Sequence, residues 1–205
     1  MTAPVAYFLI VVLAAYLVGS VSFAVIISKR HGVDILKAGS GNPGATNVKR
    51  VVGKGAGNLC FVMDALKGVA AAGIPMLVFA GQGWGAQLGV TGLVAALVGH
   101  SFSVFIGFRG GKGVATTIGG LLALCPLVII VGVIAWLAVF YSTRYVSLSS
   151  IVLGLSLPIA SWLLNEPAII RYFTLVLAAI LIIRHRSNIA RLCKGTENRF
   201  VKNPK

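Results

Sequence analysis

Carboxylates are what this sequence has least of. Its four acidic residues, Asp34, Asp64, Glu166 and Glu197, face eighteen lysines and arginines, for a formal net charge of +14 over 205 residues. Charged residues of either sign make up 11% of the chain and the mean hydropathy is +0.95. A soluble domain carries about a quarter charged residues, so that class is excluded. The carboxylate shortage disfavours Mg²⁺-dependent phosphoryl or pyrophosphoryl transfer, because Mg²⁺ sites normally use carboxylate ligands. Cys60, Cys125 and Cys193 have no CxxC or metal-type spacing and read as free thiols. His31, His100 and His185 are too scattered for a metal site, and nothing calls for a cofactor. The first cation, Lys29, follows the first apolar run rather than preceding it, so no signal peptide is expected.

Long apolar runs are what the chain does have. The run Val5–Ser28, about 24 residues, is enough to cross a bilayer, and further spans are expected near 58–80, 86–106, 147–164 and 168–183. Between 114 and 141 the sequence is almost purely apolar, with Cys125-Pro126 inside it. Proline lacks a donor and favours a break there, giving pieces of about 11 and about 16 residues. Lys and Arg gather in the loops 29–57 and 109–113, near Arg144, and from Arg184 onward, whereas the turns 81–85 and 165–167 carry none. The positive-inside rule then puts the N-terminus out and the C-terminus in. The expected fold is an all-α integral membrane protein, a single polytopic domain over 1–205, with about seven transmembrane or half-membrane helices. Its expected surroundings are the lipid bilayer, with no nucleic acid as partner. Asp64 and Lys67, three apart in the second span, can pair on one helical face. Arg171, a cation near the outer end of the last span, is expected to snorkel or to pair with Glu166.

Three polar clusters share the inner face in this topology. The first loop offers Ser40, Asn42, Thr46, Asn47 and Arg50. The second offers Arg109 and Lys112 with the backbone amides of Gly110, Gly111 and Gly113, next to a helix expected to start at Val114. Glycine turns and helix N-termini direct N–H groups at anions. The third combines Ser147, Ser149 and Ser150 at a helix start with His185 and Asn188 at a helix end. Ser147 with Ser150, and His185 with Asn188, are each three apart, so one helical face can present both. Taken singly, the loop is as easily a basic membrane-edge turn, the serines caps and the histidine interfacial filler. Two tempting motifs fail. Gly39–Gly44 fits G-x-G-x-x-G but follows a membrane span rather than a strand, and Lys112 lacks the Ser/Thr that a Walker loop places after its lysine. Gly53-Lys54-Gly55 resembles Gly111-Lys112-Gly113, but the flanks differ and no repeat follows. Cations and donors without carboxylates suit phosphate binding and oxyanion stabilisation.

The ordered set Gly39-Ser40-Gly41-Asn42-Pro43-Gly44-Ala45-Thr46-Asn47 with Arg50, then Gly99-His100 through Phe108-Arg109-Gly110-Gly111-Lys112-Gly113-Val114-Ala115-Thr116, then His185-x-x-Asn188-Ile189-x-Arg191-Leu192 with Gly195 and Glu197, resembles the bacterial acyl-phosphate:glycerol-3-phosphate acyltransferases. The resemblance covers nearly the whole chain. It implies a monomeric, seven-helix enzyme of the bacterial inner membrane, its active site facing the cytoplasm, working without metal or other cofactor. Its substrates would be acyl-phosphate and glycerol 3-phosphate, its products lysophosphatidic acid and phosphate, in the first step of phospholipid synthesis. By motif, Ser40 and Arg50 would hold substrate phosphate, Lys112 and the Gly110–Gly113 amides would form a phosphate loop, and His185, Asn188 and Ser150 would be catalytic. Ser147 is an equally admissible hydroxyl, and Glu197 is expected to brace the cationic tail. The alternatives from other classes are a transporter for an anionic phosphorylated metabolite, a membrane phosphotransferase and a small structural membrane protein. A transporter would need polar residues through the span interiors, which are apolar apart from Asp64 and Lys67.

Overall fold

The computed structural model describes residues 4–200. Among these residues the chain is helical, its only β feature an isolated antiparallel bridge between Ser103 and Arg109. The helices are α1 (Val5–Ser20), α2 (Phe23–Arg30), α3 (Ala45–Val51), α4 (Lys54–Val78), α5 (Gly85–Ser101), α6 (Val114–Leu124), α7 (Pro126–Thr143), α8 (Val146–Leu163), α9 (Ala168–Arg184) and α10 (Arg186–Cys193). Four segments are long and apolar enough to cross a membrane: Val5–Arg30, Lys54–Val78, Pro126–Thr143 and Val146–Leu163. The pair α9 and α10, bent by 59°, makes a fifth. Helices α5 and α6, with 17 and 11 residues, are shorter. Large apolar side chains such as Leu59, Leu77, Ile134 and Leu163 lie exposed on the long helices. That is stable only against lipid. The chain is an all-α integral membrane protein, as its composition required.

Packing divides the chain between Leu124 and Cys125 into two compact units. In the first, α4 is the central helix, contacting α1, α2, α3, α5 and α6. Its approach to α6 is set by missing side chains. A Cβ on Gly68 would overlap the Thr116 carbonyl, and one on Gly119 would overlap the Ala65 carbonyl. Small residues at such crossings let helix backbones touch where no hydrophobic effect drives helices together. In the second unit, α8 packs between α7 and α9, with α10 against α8 and α9.

The first span differs from a single continuous helix. It breaks at Val21-Ser22, where the Lys67 ammonium donates to the carbonyls of Gly19 (3.0 Å) and Val21 (2.9 Å). A cation at the last carbonyls of α1 completes what the helix end leaves unpaired. Asp64, three residues before Lys67, holds the charge at 2.9 Å, and both side chains are buried, the pairing expected from their spacing. Helix α4 begins at Lys54, ahead of the expected 58. Helix α5 stops at Ser101, short of 106, because Ser103 turns the chain: its hydroxyl donates to the Ser20 carbonyl at 2.5 Å. The break at Cys125-Pro126 is as expected, with α6 ending at Leu124 and Pro126 opening α7, where its missing N–H costs nothing. Arg171 stacks over Trp162, 5.7 Å from the ring centre, rather than pairing with Glu166. The three cysteines are free thiols.

Candidate functional site

The glycine-rich loop lies in the first unit, between α5 and α6. Helix α6 starts at Val114, as the sequence indicates, and Thr117 N–H bonds the Gly113 carbonyl at 2.8 Å. Gly113 has φ +82°, a left-handed conformation that a side chain resists. Gly110 and Gly111 are needed for a different reason. A Cβ on Gly110 would overlap the His100 carbonyl, and one on Gly111 would overlap His100 Nε2 and lie 3.1 Å from the Pro43 carbonyl. The loop is therefore pressed between the end of α5 and the first polar loop. Gly111 N–H donates to the His100 carbonyl at 3.0 Å, so this amide holds the loop together, unlike the anion-facing role expected of it. Lys112 is half-buried, and Arg109 is exposed with its carbonyl bonded to Ser103 N–H at 3.0 Å.

The first loop is organised by Asn47. Its Oδ1 accepts from Ser40 N–H at 3.0 Å, and its Nδ2 donates to the Ala38 carbonyl at 3.0 Å. Both ends of this buried amide are engaged within the loop, so Asn47 places Ser40 rather than reaching out itself. Ser40 and Arg50 are exposed, and Asn42 and Thr46 are half-exposed. The Pro43 carbonyl beside Gly111 joins this loop to the glycine-rich one.

The second unit holds the other cluster. His185 ends α9 and begins the bend into α10, so Asn188 sits in the first turn of a new helix rather than at the close of the last span. His185 Nδ1 lies 2.7 Å from the Leu181 carbonyl. A carbonyl cannot donate, so Nδ1 carries a proton and this bond fixes the ring's orientation at the bend. Ser147 Oγ donates to Glu197 Oε1 at 2.9 Å, and Asn188 Nδ2 donates to the same oxygen at 2.7 Å. Arg191 Nε takes Glu197 Oε2 at 2.7 Å. Burial raises the Glu197 pKa, but hydrogen bonds from Asn188, Ser147 and Arg191 and the Arg191 charge outweigh it, holding the carboxyl below its usual value. The turn that returns Glu197 runs through Gly195 at φ +69°, with Thr196 N–H on the Arg191 carbonyl and Gly195 N–H on the Leu192 carbonyl. This is a Schellman closure.

Ser150 has different partners. Its hydroxyl donates to the Val146 carbonyl at 2.8 Å and accepts from Trp136 Nε1 at 3.2 Å. Ser147, Ser150, His185 and Asn188 are all buried. Trp136 escaped sequence reasoning because it lies in an apolar helix with no polar neighbour to mark it. Arg191 was visible as a motif residue without a role. His100 appeared only as a flank to the second motif, yet it touches the loop through both its backbone and its ring.

Residues 9–195 match the model of the glycerol-3-phosphate acyltransferase family. A glycerol-3-phosphate acyltransferase of Aquifex aeolicus is 44% identical over 192 residues, covering 94% of this chain and 98% of the relative. One of Geobacter sulfurreducens is 40% identical over 196 residues, covering 94% and 97%. Among solved structures, the glycerol 3-phosphate form of PlsY (YgiH), an integral membrane glycerol 3-phosphate acyltransferase, superposes with a TM-score of 0.86. It is 41% identical and the match covers 95% of this chain and 96% of that one.

Proposed function

The chain belongs to the glycerol-3-phosphate acyltransferase family, and we propose that it transfers a fatty acyl group from acyl-phosphate to the 1-hydroxyl of glycerol 3-phosphate, releasing lysophosphatidic acid and phosphate. The observation that supports a phosphate-bearing substrate is the loop around Lys112, which joins two cations to a glycine backbone, while Asp64, the acidic residue of α4, is already paired with Lys67. Such a loop suits a phosphate-bearing substrate and needs no divalent ion to mask a carboxylate. Ser40, Asn42, Thr46, Arg50, Arg109 and Lys112 are the proposed binding residues, and Asn47, Gly110, Gly111 and Gly113 shape the loops that carry them.

Attack is direct, by the glycerol hydroxyl on the acyl carbonyl. An acyl-enzyme needs a hydroxyl activated by a base. Here Ser150 donates to a backbone carbonyl, and Ser147 to a carboxylate whose lowered pKa makes it a poor base. His185 and Asn188 contribute hydrogen bonds at the reacting carbonyl and hydroxyl, and Ser150 is the working serine of the pair. Its bond to an i−4 carbonyl is exchanged for a substrate at less cost than the charge-assisted bond that Ser147 makes. The proton leaves to a substrate phosphate oxygen. In this reading the enzyme is a monomer of a bacterial inner membrane with its site facing the cytoplasm, and the charge asymmetry of the loops supports the N-terminus out and the C-terminus in.

The test is product formation by purified protein in lipid or detergent. Lysophosphatidic acid should appear with acyl-phosphate and glycerol 3-phosphate, should not appear with acyl-CoA in place of acyl-phosphate, and should survive EDTA. Product from acyl-CoA alone would overturn the donor assignment. Uptake of glycerol 3-phosphate into vesicles without acylation would favour the transporter that the sequence left open.

A further inference from the structure

Beneath the glycine-rich loop lies a buried group of side chains that the acyl-transfer reading does not use. Asp64 and Lys67 come from α4, and His100 from the last turn of α5. All three are at least nine-tenths buried, with relative exposures of 2%, 5% and 8%. Asp64 Oδ1 is 2.9 Å from Lys67 Nζ and 3.8 Å from His100 Nδ1. Cys60 Sγ lies 3.7 Å from the other carboxylate oxygen. One edge of the imidazole thus faces a carboxylate. The opposite edge, Nε2, is packed so tightly on Gly111 that no Cβ fits between them. The His100 carbonyl also takes the Gly111 N–H.

A bulky charged pair inside a span is costly, and such groups usually persist where they do something. The Asp64–Lys67 pair closes the break in the first span, which explains the ammonium. It does not explain why the carboxylate is shared with an imidazole whose other nitrogen meets the loop. At 3.8 Å the carboxylate is beyond hydrogen-bond reach of Nδ1, so the ring is fixed by its burial and by the charge beside that edge. A ring so fixed is a rigid stop for whatever rests on its far edge.

We infer that His100 is a positioning residue for phosphate binding. Burial and the Asp64 charge hold the His100 ring, and the ring abuts Gly111 on the side where the Pro43 carbonyl of the first loop also approaches, setting the backbone that presents Lys112 and its flanking glycines. This rests on the reading of that loop as a phosphate site. His100 does not touch substrate. Its contribution is to hold the loop in one shape before ligand arrives, so that binding does not have to order it.

The experiment compares His100→Gln, His100→Asn, His100→Ala and Asp64→Asn with the unaltered protein, measuring KM for each phosphate-bearing substrate, kcat and the melting midpoint. The glutamine amide reaches where Nε2 was, whereas the asparagine amide reaches only Nδ1. His100→Asn and His100→Ala should raise KM by about tenfold for the one substrate whose phosphate the loop holds, with kcat within about threefold. His100→Gln should stay within about threefold of the unaltered protein in that KM. Asp64→Asn should follow His100→Asn, and if it does not fold, the three His100 variants decide the matter alone. Unchanged KM in folded His100→Asn and His100→Ala would overturn the inference, as would equal losses in all three His100 variants. Lys112→Ala separates this from the reading beneath it. If Lys112→Ala raises KM and the His100 variants do not, the positioning role alone is wrong. If Lys112→Ala leaves both KM values unchanged, the loop is not the phosphate site and the inference falls with it.

Discussion

Asn188 Nδ2 donates to Glu197 Oε1 at 2.7 Å, and Ser147 Oγ donates to that same oxygen from α8. One carboxylate thus ties a residue proposed for catalysis to the start of a neighbouring helix, through a tail that the Gly195 turn folds back.

Glu197→Gln should lower the melting midpoint at neutral pH, since three donors lose an ionised acceptor. Bonds to a charged group contribute roughly 1.5–3 kcal/mol each at best, and less here because Arg191 is partly exposed. The sign with pH follows from the lowered Glu197 pKa. A depressed carboxylate contributes its full stability above the ordinary value, about 4.3, and loses it as pH falls through the lower native value. The gap between the two proteins should therefore narrow in acid. A gap that widens as pH drops from 6 to 3 would contradict the assignment.

The two serines should separate in kinetics. Ser150→Ala is expected to lower kcat by about a hundredfold, in the range for loss of one oxyanion donor. Ser147→Ala should act mainly on the melting midpoint, because its hydroxyl is held by Glu197. The reverse pattern would make Ser147 the working hydroxyl.

His185→Gln distinguishes the route of the proton. Direct attack with a substrate phosphate as base predicts reduced kcat with an unchanged pH profile, since no titrating protein base is removed. Disappearance of an acid limb near the ordinary histidine range, about 6.5, would make the imidazole the base. Mass-spectrometric detection of an acyl group on the protein after a quenched turnover would exclude direct attack.

Gly68→Ala should destabilise the first unit, because its methyl has no place except against the Thr116 carbonyl. Overpacking of this kind costs about 1–3 kcal/mol. The open position Gly55, in the first turn of the same helix, where a Cβ meets nothing, is the control. Equal melting midpoints for the two alanine variants would show that α4 and α6 can separate at no cost.

Composition and charge order by themselves determined the class of this protein. A chain so apolar, with four carboxylates and its cations, Lys67 and Arg171 apart, kept to loops and helix ends, has no other stable form than helices in a bilayer, and three ordered motifs mark its chemistry. Local rules also placed the break at Pro126, the start of α6 at Val114 and the Asp64–Lys67 pair, because each depends on neighbours within a turn of helix. What tertiary structure decided is what each polar residue does. Asn47 holds Ser40, the Gly111 amide is taken by His100, the first span opens where Lys67 reaches its carbonyls, and Ser147 and Ser150 part company over Glu197 and Trp136. Each of these rests on partners up to about fifty residues away, brought into hydrogen-bond contact by packing that no local pattern encodes.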